Sequence, residues 1–227
     1  MPGTFNGTTL TISATPVDGA LIPDKSATNV AGIAIVGSDM YCVKTTGLKT
    51  TLLKTTDYMA TKATAVKKDL NWFALGLTKI GNYLYMLAED HKGYGGSTTI
   101  VKLDTKGNQL GTYSINEICP KGALGITAAD GTNEKFIIMH YADKSNAGTL
   151  AFSVVDWKAA EAASTFTVTN SGFGYTTRLQ DIYYHTSFGL FILTNNTFST
   201  LQNRILVVDY HLTDDKVKNT LHVRSSM

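Results

Sequence analysis

Short apolar runs alternate with polar, turn-forming stretches along the whole chain, and the runs recur in a fixed order. The first kind of run opens on a small or polar residue: Ala31-Gly32-Ile33-Ala34-Ile35, Leu75-Gly76-Leu77-Thr78, Leu124-Gly125-Ile126-Thr127 and Gln180-Asp181-Ile182-Tyr183. A tight polar turn follows each: Gly37-Ser38-Asp39, Gly81-Asn82, Asp130-Gly131-Thr132-Asn133-Glu134 and Thr186-Ser187. Gly, Asn and Asp in those turns supply the positive φ that short hairpins demand. The second run is the most apolar: Met40-Tyr41-Cys42-Val43, Tyr83-Leu84-Tyr85-Met86-Leu87, Phe136-Ile137-Ile138-Met139 and Leu190-Phe191-Ile192-Leu193. Continuous apolar runs of this length predict strands covered on both faces. A third run follows a longer polar loop: Thr51-Leu52-Leu53-Lys54, Thr99-Ile100-Val101-Lys102-Leu103, Leu150-Ala151-Phe152-Ser153-Val154-Val155 and Ile205-Leu206-Val207-Val208. The fourth is threonine-rich and weakly apolar: Thr61-Lys62-Ala63-Thr64-Ala65-Val66, Gln109-Leu110-Gly111-Thr112-Tyr113, Thr165-Phe166-Thr167-Val168-Thr169 and Asn219-Thr220-Leu221-His222-Val223. Threonine at the wet positions keeps β propensity without creating a sticky edge.

Tyr41, Tyr85, Ile137 and Phe191 are equivalent in this scheme, so the units are 44, 52 and 54 residues apart. Four strands per unit at that period predict an all-β, β-propeller-like array of about four four-stranded antiparallel blades. The chain thus resembles β-propellers as a class over residues 28–224. The turn Asp104-Thr105-Lys106-Gly107 resembles the D-x-x-G turns of many propeller repeats. No WD40, kelch or sialidase Asp-box signature is present, so the resemblance stays at the level of architecture. A β-sandwich with as many strands is the competing reading, but it has no need of four units in the same internal order. The expected organisation is an N-terminal strand and loop over 1–27, then a propeller domain over 28–227 with repeats 28–68, 69–120, 121–174 and 175–227. The strand Thr9-Leu10-Thr11-Ile12-Ser13-Ala14 has three readings: it locks the ring by pairing with the last unit, it belongs to a missing blade of a larger wheel, or it is an extra edge strand. The helix-prone stretch Ala159-Ala160-Glu161-Ala162-Ala163 predicts one or two helical turns.

Composition changes the picture in three ways. The formal charge is +2 and charged residues are only 17% of the chain; that balance removes the electrostatic case for nucleic acid. No run approaches the length needed to span a bilayer, so no membrane insertion is expected. The N-terminus lacks a basic n-region and an apolar h-region, so no signal peptide is expected in this chain. Low charge with abundant Thr, Asn and Gly leans towards an extracellular or cell-surface protein. Cys42 and Cys119 are expected to be unpaired thiols, one of them buried, with a disulfide between them as the alternative. Asn6-Gly7-Thr8 and Asn195-Asn196-Thr197 match the glycosylation sequon.

In a four-stranded blade, the connections from second to third strand and from fourth strand to the next blade open on one face. Those connections carry rings beside flexible glycines and amides, the mixture used by recognition surfaces. The candidate ligand-binding residues are Trp72, His91, Tyr94, Asn146, Phe173, Tyr175, Asn196 and Phe198. Each ring has a second reading as a plug between blades. No catalytic residues, metal ligands or cofactor are assigned. His91, His140, His185, His211 and His222 have no metal-ligand spacing, and no Gly-x-Ser-x-Gly elbow is present. His140 and His185 face the alternatives of meeting across two blades or being structural. Gly93-Tyr94-Gly95-Gly96 joins two strands and opens no helix, which disfavours a phosphate loop. Among the innermost runs, Gly32, Gly76 and Gly125 have one acidic equivalent, Asp181. Propeller lactonases hold a channel metal between convergent acids and amides, a set this chain lacks. The expected function is a non-enzymatic recognition module for a glycan or protein ligand. The alternatives are a hydrolase or lyase with a channel site, and a structural part of a larger surface assembly. If the chain is half of a wheel, a homodimer is expected.

Overall fold

The computed structural model describes residues 3–5, 10–12, 30–56, 63–90, 97–130, 133–142, 149–169, 177–196, 204–212 and 216–224. Among these there is no helix. A small hairpin of β1 (Gly3–Phe5) and β2 (Leu10–Ile12) pairs with itself. Four antiparallel sheets follow, each built from four strands in chain order. The first contains β3 (Val30–Val36), β4 (Asp39–Thr46), β5 (Lys49–Thr55) and β6 (Thr64–Leu70). The second contains β7 (Phe73–Ile80), β8 (Tyr83–Glu89), β9 (Thr98–Leu103) and β10 (Gln109–Ser114). The third contains β11 (Ala123–Asp130), β12 (Lys135–Tyr141), β13 (Thr149–Asp156) and β14 (Ser164–Thr169). The fourth contains β15 (Thr177–His185), β16 (Gly189–Asn196), β17 (Arg204–His211) and β18 (Lys216–Arg224). The four sheets form a ring, a four-bladed β-propeller-like fold.

The core lies between blades. Tyr41, Val43 and Leu52 of blade 1 meet Leu77, Leu84 and Met86 of blade 2. Tyr85 and Leu87 of blade 2 meet Ile126, Phe136 and Ile138 of blade 3. Met139 and Phe152 of blade 3 meet Ile182, Leu190 and Tyr210 of blade 4. The second strands alternate, sending one side chain to each neighbour, which is why they read as unbroken apolar runs. Among the described residues there is no fourth cluster of this kind. The innermost strands β3, β7, β11 and β15 pack side by side in sequence, while β15 and β3 touch only marginally.

Gly32 shows why the innermost runs begin with small residues. Its φ is +68°, and a Cβ there would stand 2.0 Å from the backbone nitrogen of Leu77 in blade 2. No side chain fits, because the next innermost strand lies against the glycine backbone.

The Asp104 turn joins β9 to β10. Its carboxylate accepts hydrogen bonds from the Lys106 N–H (2.9 Å), the Asn108 N–H (2.8 Å) and the Asn108 amide (2.8 Å). Desolvation pushes the carboxyl upward, and these bonds outweigh it, so Asp104 titrates below its ordinary value. A carboxylate that accepts several N–H bonds in a turn fixes the turn. Asp104→Ala is expected to cost about 1–2 kcal/mol in denaturant unfolding. The bonded carboxylate contributes its stability above the unfolded-state pKa and loses it as pH falls through the depressed folded-state value. The wild-type advantage over the variant therefore shrinks in acid, a trend that paired unfolding curves measure.

The predicted helical turns at Ala159–Ala163 do not form. Lys158, immediately before the segment, has φ +66°, so no right-handed helix runs into it from β13. The Tyr113 hydroxyl donates to the Ala159 carbonyl (2.7 Å), and the Ala163 N–H returns to Val154 O (2.7 Å), closing a turn instead. Cys42 and Cys119 are free, and both are buried, where one buried thiol was expected. Burial pushes the Cys119 thiol up to about 12, which keeps it protonated and unreactive.

Candidate functional site

The four-stranded blade puts two sets of connections on each face of the ring. On the face singled out by sequence, second-to-third connections occupy residues 90–97, 142–148 and 197–203 in blades 2 to 4. The connections between blades on that face occupy 115–122 and 170–176. On the opposite face the first-to-second turns occupy only 37–38, 81–82, 131–134 and 186–188, and the third-to-fourth connections occupy 56–63, 104–108, 157–163 and 212–215. Both faces therefore carry long connections. Within blades 2 to 4 the second-to-third connections are longer than the first-to-second turns, while in blade 1 Gly47 and Leu48 turn β4 tightly into β5.

Of the candidate residues, the structure describes Trp72 in full. Asp69 (φ +57°), the penultimate residue of β6, turns the chain at the strand's end, and the Trp72 N–H closes on Leu70 O at 2.8 Å. The Thr50 hydroxyl donates to Trp72 O at 2.7 Å and accepts from the Ala74 N–H at 3.2 Å, tying blade 1 to the start of β7. The indole N–H donates to Gln109 Oε1 at 3.2 Å. The ring is half-buried against the Leu52, Leu70 and Ala74 cluster, so it fills space between blades 1 and 2. Asn196 ends β16, paired in register with Thr177. His91, Tyr94, Asn146, Phe173, Tyr175 and Phe198 lie outside the described residues.

A groove of 490 Å³ opens beside blade 3, lined by Glu117, Ile118, Ser153, Ala160, Glu161, Ala162 and Thr165. Its floor carries a polar chain that no sequence spacing signals. His140 Nε2 lies 2.9 Å from Ser153 Oγ, which lies 2.9 Å from Thr165 Oγ1. His140 Nδ1 lies 3.2 Å from Tyr141 O. Burial lowers the His140 pKa, partly opposed by the bond to Tyr141 O, so the imidazole is neutral. A neutral ring donates from Nδ1 to that carbonyl and accepts the Ser153 proton at Nε2. A serine bonded to a histidine is half of a nucleophilic pair. Here the orienting group is a main-chain carbonyl and not a carboxylate, and Ser153 is buried beneath the groove. The arrangement acts as a structural brace across β12, β13 and β14. His185 takes no part: it stacks on Phe188 at 4.7 Å and its Nδ1 accepts from the Ser187 N–H at 3.1 Å. Both histidines thus follow the structural reading.

On the opposite side of the blade 2–3 interface, Glu134 accepts hydrogen bonds from the Tyr85 hydroxyl and from Lys102 Nζ. Lys102 Nζ also stands 4.4 Å above the Tyr83 ring. Desolvation raises the Glu134 carboxyl, but the bonds from Lys102 and Tyr85 and the Lys102 charge outweigh it and hold it below its ordinary value. Among the described residues, no three His, Cys, Asp or Glu side chains form a group that could hold a metal ion.

No family pattern matches the chain, and no curated protein matches it in sequence. Similarity is found to solved structures. Glutaminyl cyclase from Myxococcus xanthus is 12% identical, with a TM-score of 0.46, covering 72% of this chain and 66% of the enzyme. The β-propeller domain of Cps50 (Swd1) from Myceliophteria thermophila is 11% identical, with a TM-score of 0.47, covering 88% of this chain and 58% of that domain. BamB from Moraxella catarrhalis is 15% identical, with a TM-score of 0.42, covering 86% of this chain and 54% of BamB. The chain spans less than two thirds of the length of each. The likeness is one of fold.

Proposed function

We infer that this chain is a non-enzymatic recognition module that binds a glycan or protein ligand through the face bearing its second-to-third and between-blade connections. The observation that supports the reading is the length of the second-to-third connections in blades 2 to 4, residues 90–97, 142–148 and 197–203, beside the between-blade connections 115–122 and 170–176, against first-to-second turns of two to four residues. Long connections on a rigid β scaffold are where binding groups concentrate. Rings supply contact area at low entropic cost and amides adapt their hydrogen bonds. His91, Tyr94, Asn146, Phe173, Tyr175, Asn196 and Phe198 fall on those connections or at their margins. Trp72 contributes by holding the blade 1–2 junction beneath them. The same reading places the protein outside the cytoplasm or at a cell surface, in keeping with its low charge and its Thr, Asn and Gly content.

The test is a glycan array and a protein pull-down with the full chain, each repeated with the Tyr94→Ala/Phe198→Ala double variant. The expected result is saturable capture of one ligand class that falls at least tenfold in the double variant, with unchanged circular dichroism and melting temperature. That loss is the size expected when two aromatic anchors are truncated. Binding that the double variant retains, or silence in both assays, overturns the reading.

A further inference from the structure

Three of the four seams between innermost strands are sealed by the same device. The first part is a glycine against which the next strand's backbone lies. A Cβ on Gly32 would meet Leu77 N at 2.0 Å, one on Gly76 would meet Ile126 N at 3.3 Å, and one on Gly125 would meet Ile182 N at 3.5 Å. The residue that follows the glycine position in each receiving strand is then shut away: Leu77 is 2% exposed, Ile126 1% and Ile182 5%. At two seams a threonine two positions after the glycine adds a hydrogen bond. The Thr78 hydroxyl accepts from the Ala128 N–H (3.0 Å), and the Thr127 hydroxyl accepts from the Tyr184 N–H (3.1 Å).

The seam from β15 to β3 has none of these parts. Asp181 stands where the glycine belongs, as its successor Ile182 shows by meeting Gly125. Tyr183 stands where Thr78 and Thr127 stand, and it is 60% exposed. Ile33, the equivalent of Leu77, Ile126 and Ile182, is 50% exposed, and Ile35 is 48% exposed. Strand alternation turns Asp181 and Tyr183 away from blade 3, because Ile182 and Tyr184 fill the cluster there. It likewise turns Ile33 and Ile35 away from blade 2, where Ala34 packs. Alternation thus turns one carboxylate and one ring of β15 towards the side to which β3 turns two aliphatic side chains.

We propose that the β15–β3 seam is a binding site for a small organic ammonium, with Asp181 as its anion, Tyr183 as its aromatic wall and Ile33 and Ile35 as its apolar wall. Charge complementarity carries the choice of ligand. Asp181 accepts a hydrogen bond from its own Ile182 N–H at 2.9 Å, and no cation balances it among the described residues. The described groups on the neighbouring strands supply no cation, and the side chain of Arg178, also on β15, lies outside the described residues. β3 reads Val-Ala-Gly-Ile-Ala-Ile-Val and carries no titratable side chain. β11 carries only Asp130, at its far end, where it accepts from the Asn133 amide. The register partner of Asp181 on β16 is Leu193. Burial lifts the Asp181 carboxyl to about 7, against the single bond from Ile182. A carboxylate that burial raises and no described cation balances is a candidate for a functional position. An ammonium satisfies it as an ion pair, and the flanking ring and aliphatics suit a cation carried on an apolar body.

The probe is 2-phenylethylammonium, with 2-phenylethanol as its neutral counterpart, followed by amide chemical shifts of the full-length protein. The expected result is saturable shifts centred on Ile33, Asp181 and Tyr183 with the ammonium and not with the alcohol. Because the ligand selects the ionised carboxyl, its affinity rises about tenfold from pH 6 to pH 8, as the ionised fraction grows around the free-state value. Asp181→Asn, which keeps the shape and removes the charge, is expected to lose affinity at least tenfold and to flatten the pH dependence. Tyr183→Leu is expected to weaken binding several-fold while keeping the pH slope, so the proposal stays open to refutation should the asparagine variant misfold. Equal binding of ammonium and alcohol, shifts located elsewhere, or a pH slope that survives in Asp181→Asn would overturn the proposal.

Discussion

Gly32→Ala is expected to destabilise the protein by about 4 kcal/mol or to prevent folding outright, while Gly47→Ala costs only about 1 kcal/mol. Both glycines have positive φ, +68° and +61°. An L-residue in that region is strained by a similar amount at each. They differ in surroundings. A Cβ on Gly47 meets nothing within 4 Å, while one on Gly32 meets Leu77 N at 2.0 Å and Leu77 Cα at 2.8 Å. Those atoms belong to the innermost strand of the next blade and have no rotamer through which to escape. Relief requires β3 and β7 to separate, which opens the Tyr41, Val43, Leu77 and Leu84 cluster. Against a total stability of roughly 5–15 kcal/mol, the Gly32 change removes much of the folded population. Urea unfolding of the two variants side by side measures the difference. Equal midpoints would mean that the close approach of β3 and β7 is absent.

Tyr85→Ala is the second large effect, at about 3–5 kcal/mol. Tyr85 is fully buried, with its ring 4.9 Å from Phe136 and 5.6 Å from Trp157. Removing it leaves a cavity at the blade 2–3 interface and takes the hydroxyl from Glu134. Tyr85→Phe separates the two losses: the ring remains and only the hydroxyl goes, at about 1–2 kcal/mol. The pH dependence then identifies Glu134 as the partner. Its folded-state pKa lies below the ordinary value, so its contribution is complete above the unfolded-state pKa and disappears as pH falls through the folded-state one. The gap between wild type and Tyr85→Phe is therefore expected to narrow in acid. Thermal melts of the three proteins at neutral and acidic pH measure it, and a gap independent of pH would remove Glu134 from the account.

The strand plan was legible because two strong local signals coincide: apolar runs of strand length, and Gly, Asn or Asp turns between them. Every first-to-second turn named from sequence joins the strands expected of it. What sequence does not display is which distant residues the register brings together. His140 meets Ser153 because β12 and β13 pair with Ile138 opposite Ser153. Tyr85 meets Glu134 across a blade interface, 49 positions away in the chain. Neither pair has a spacing that a reader of the sequence would single out. Trp72 was legible as a prominent ring, but its seat against Leu52 and Leu70 depends on how β6 hands over to β7. The alanine-rich segment misleads because propensity is local, whereas the left-handed Lys158 and the Tyr113 hydroxyl are imposed by the blade. Asp181 was visible as the odd member of a glycine series. Its meaning needed the exposed Ile33 opposite.

Among the described residues, three apolar clusters join blade 1 to blade 2, blade 2 to blade 3 and blade 3 to blade 4. The second strand of blade 2 and that of blade 3 each feed two clusters through opposite faces. A truncation that lets either strand shift therefore loosens packing on both of its sides, so damage to a middle blade reaches two neighbours at once.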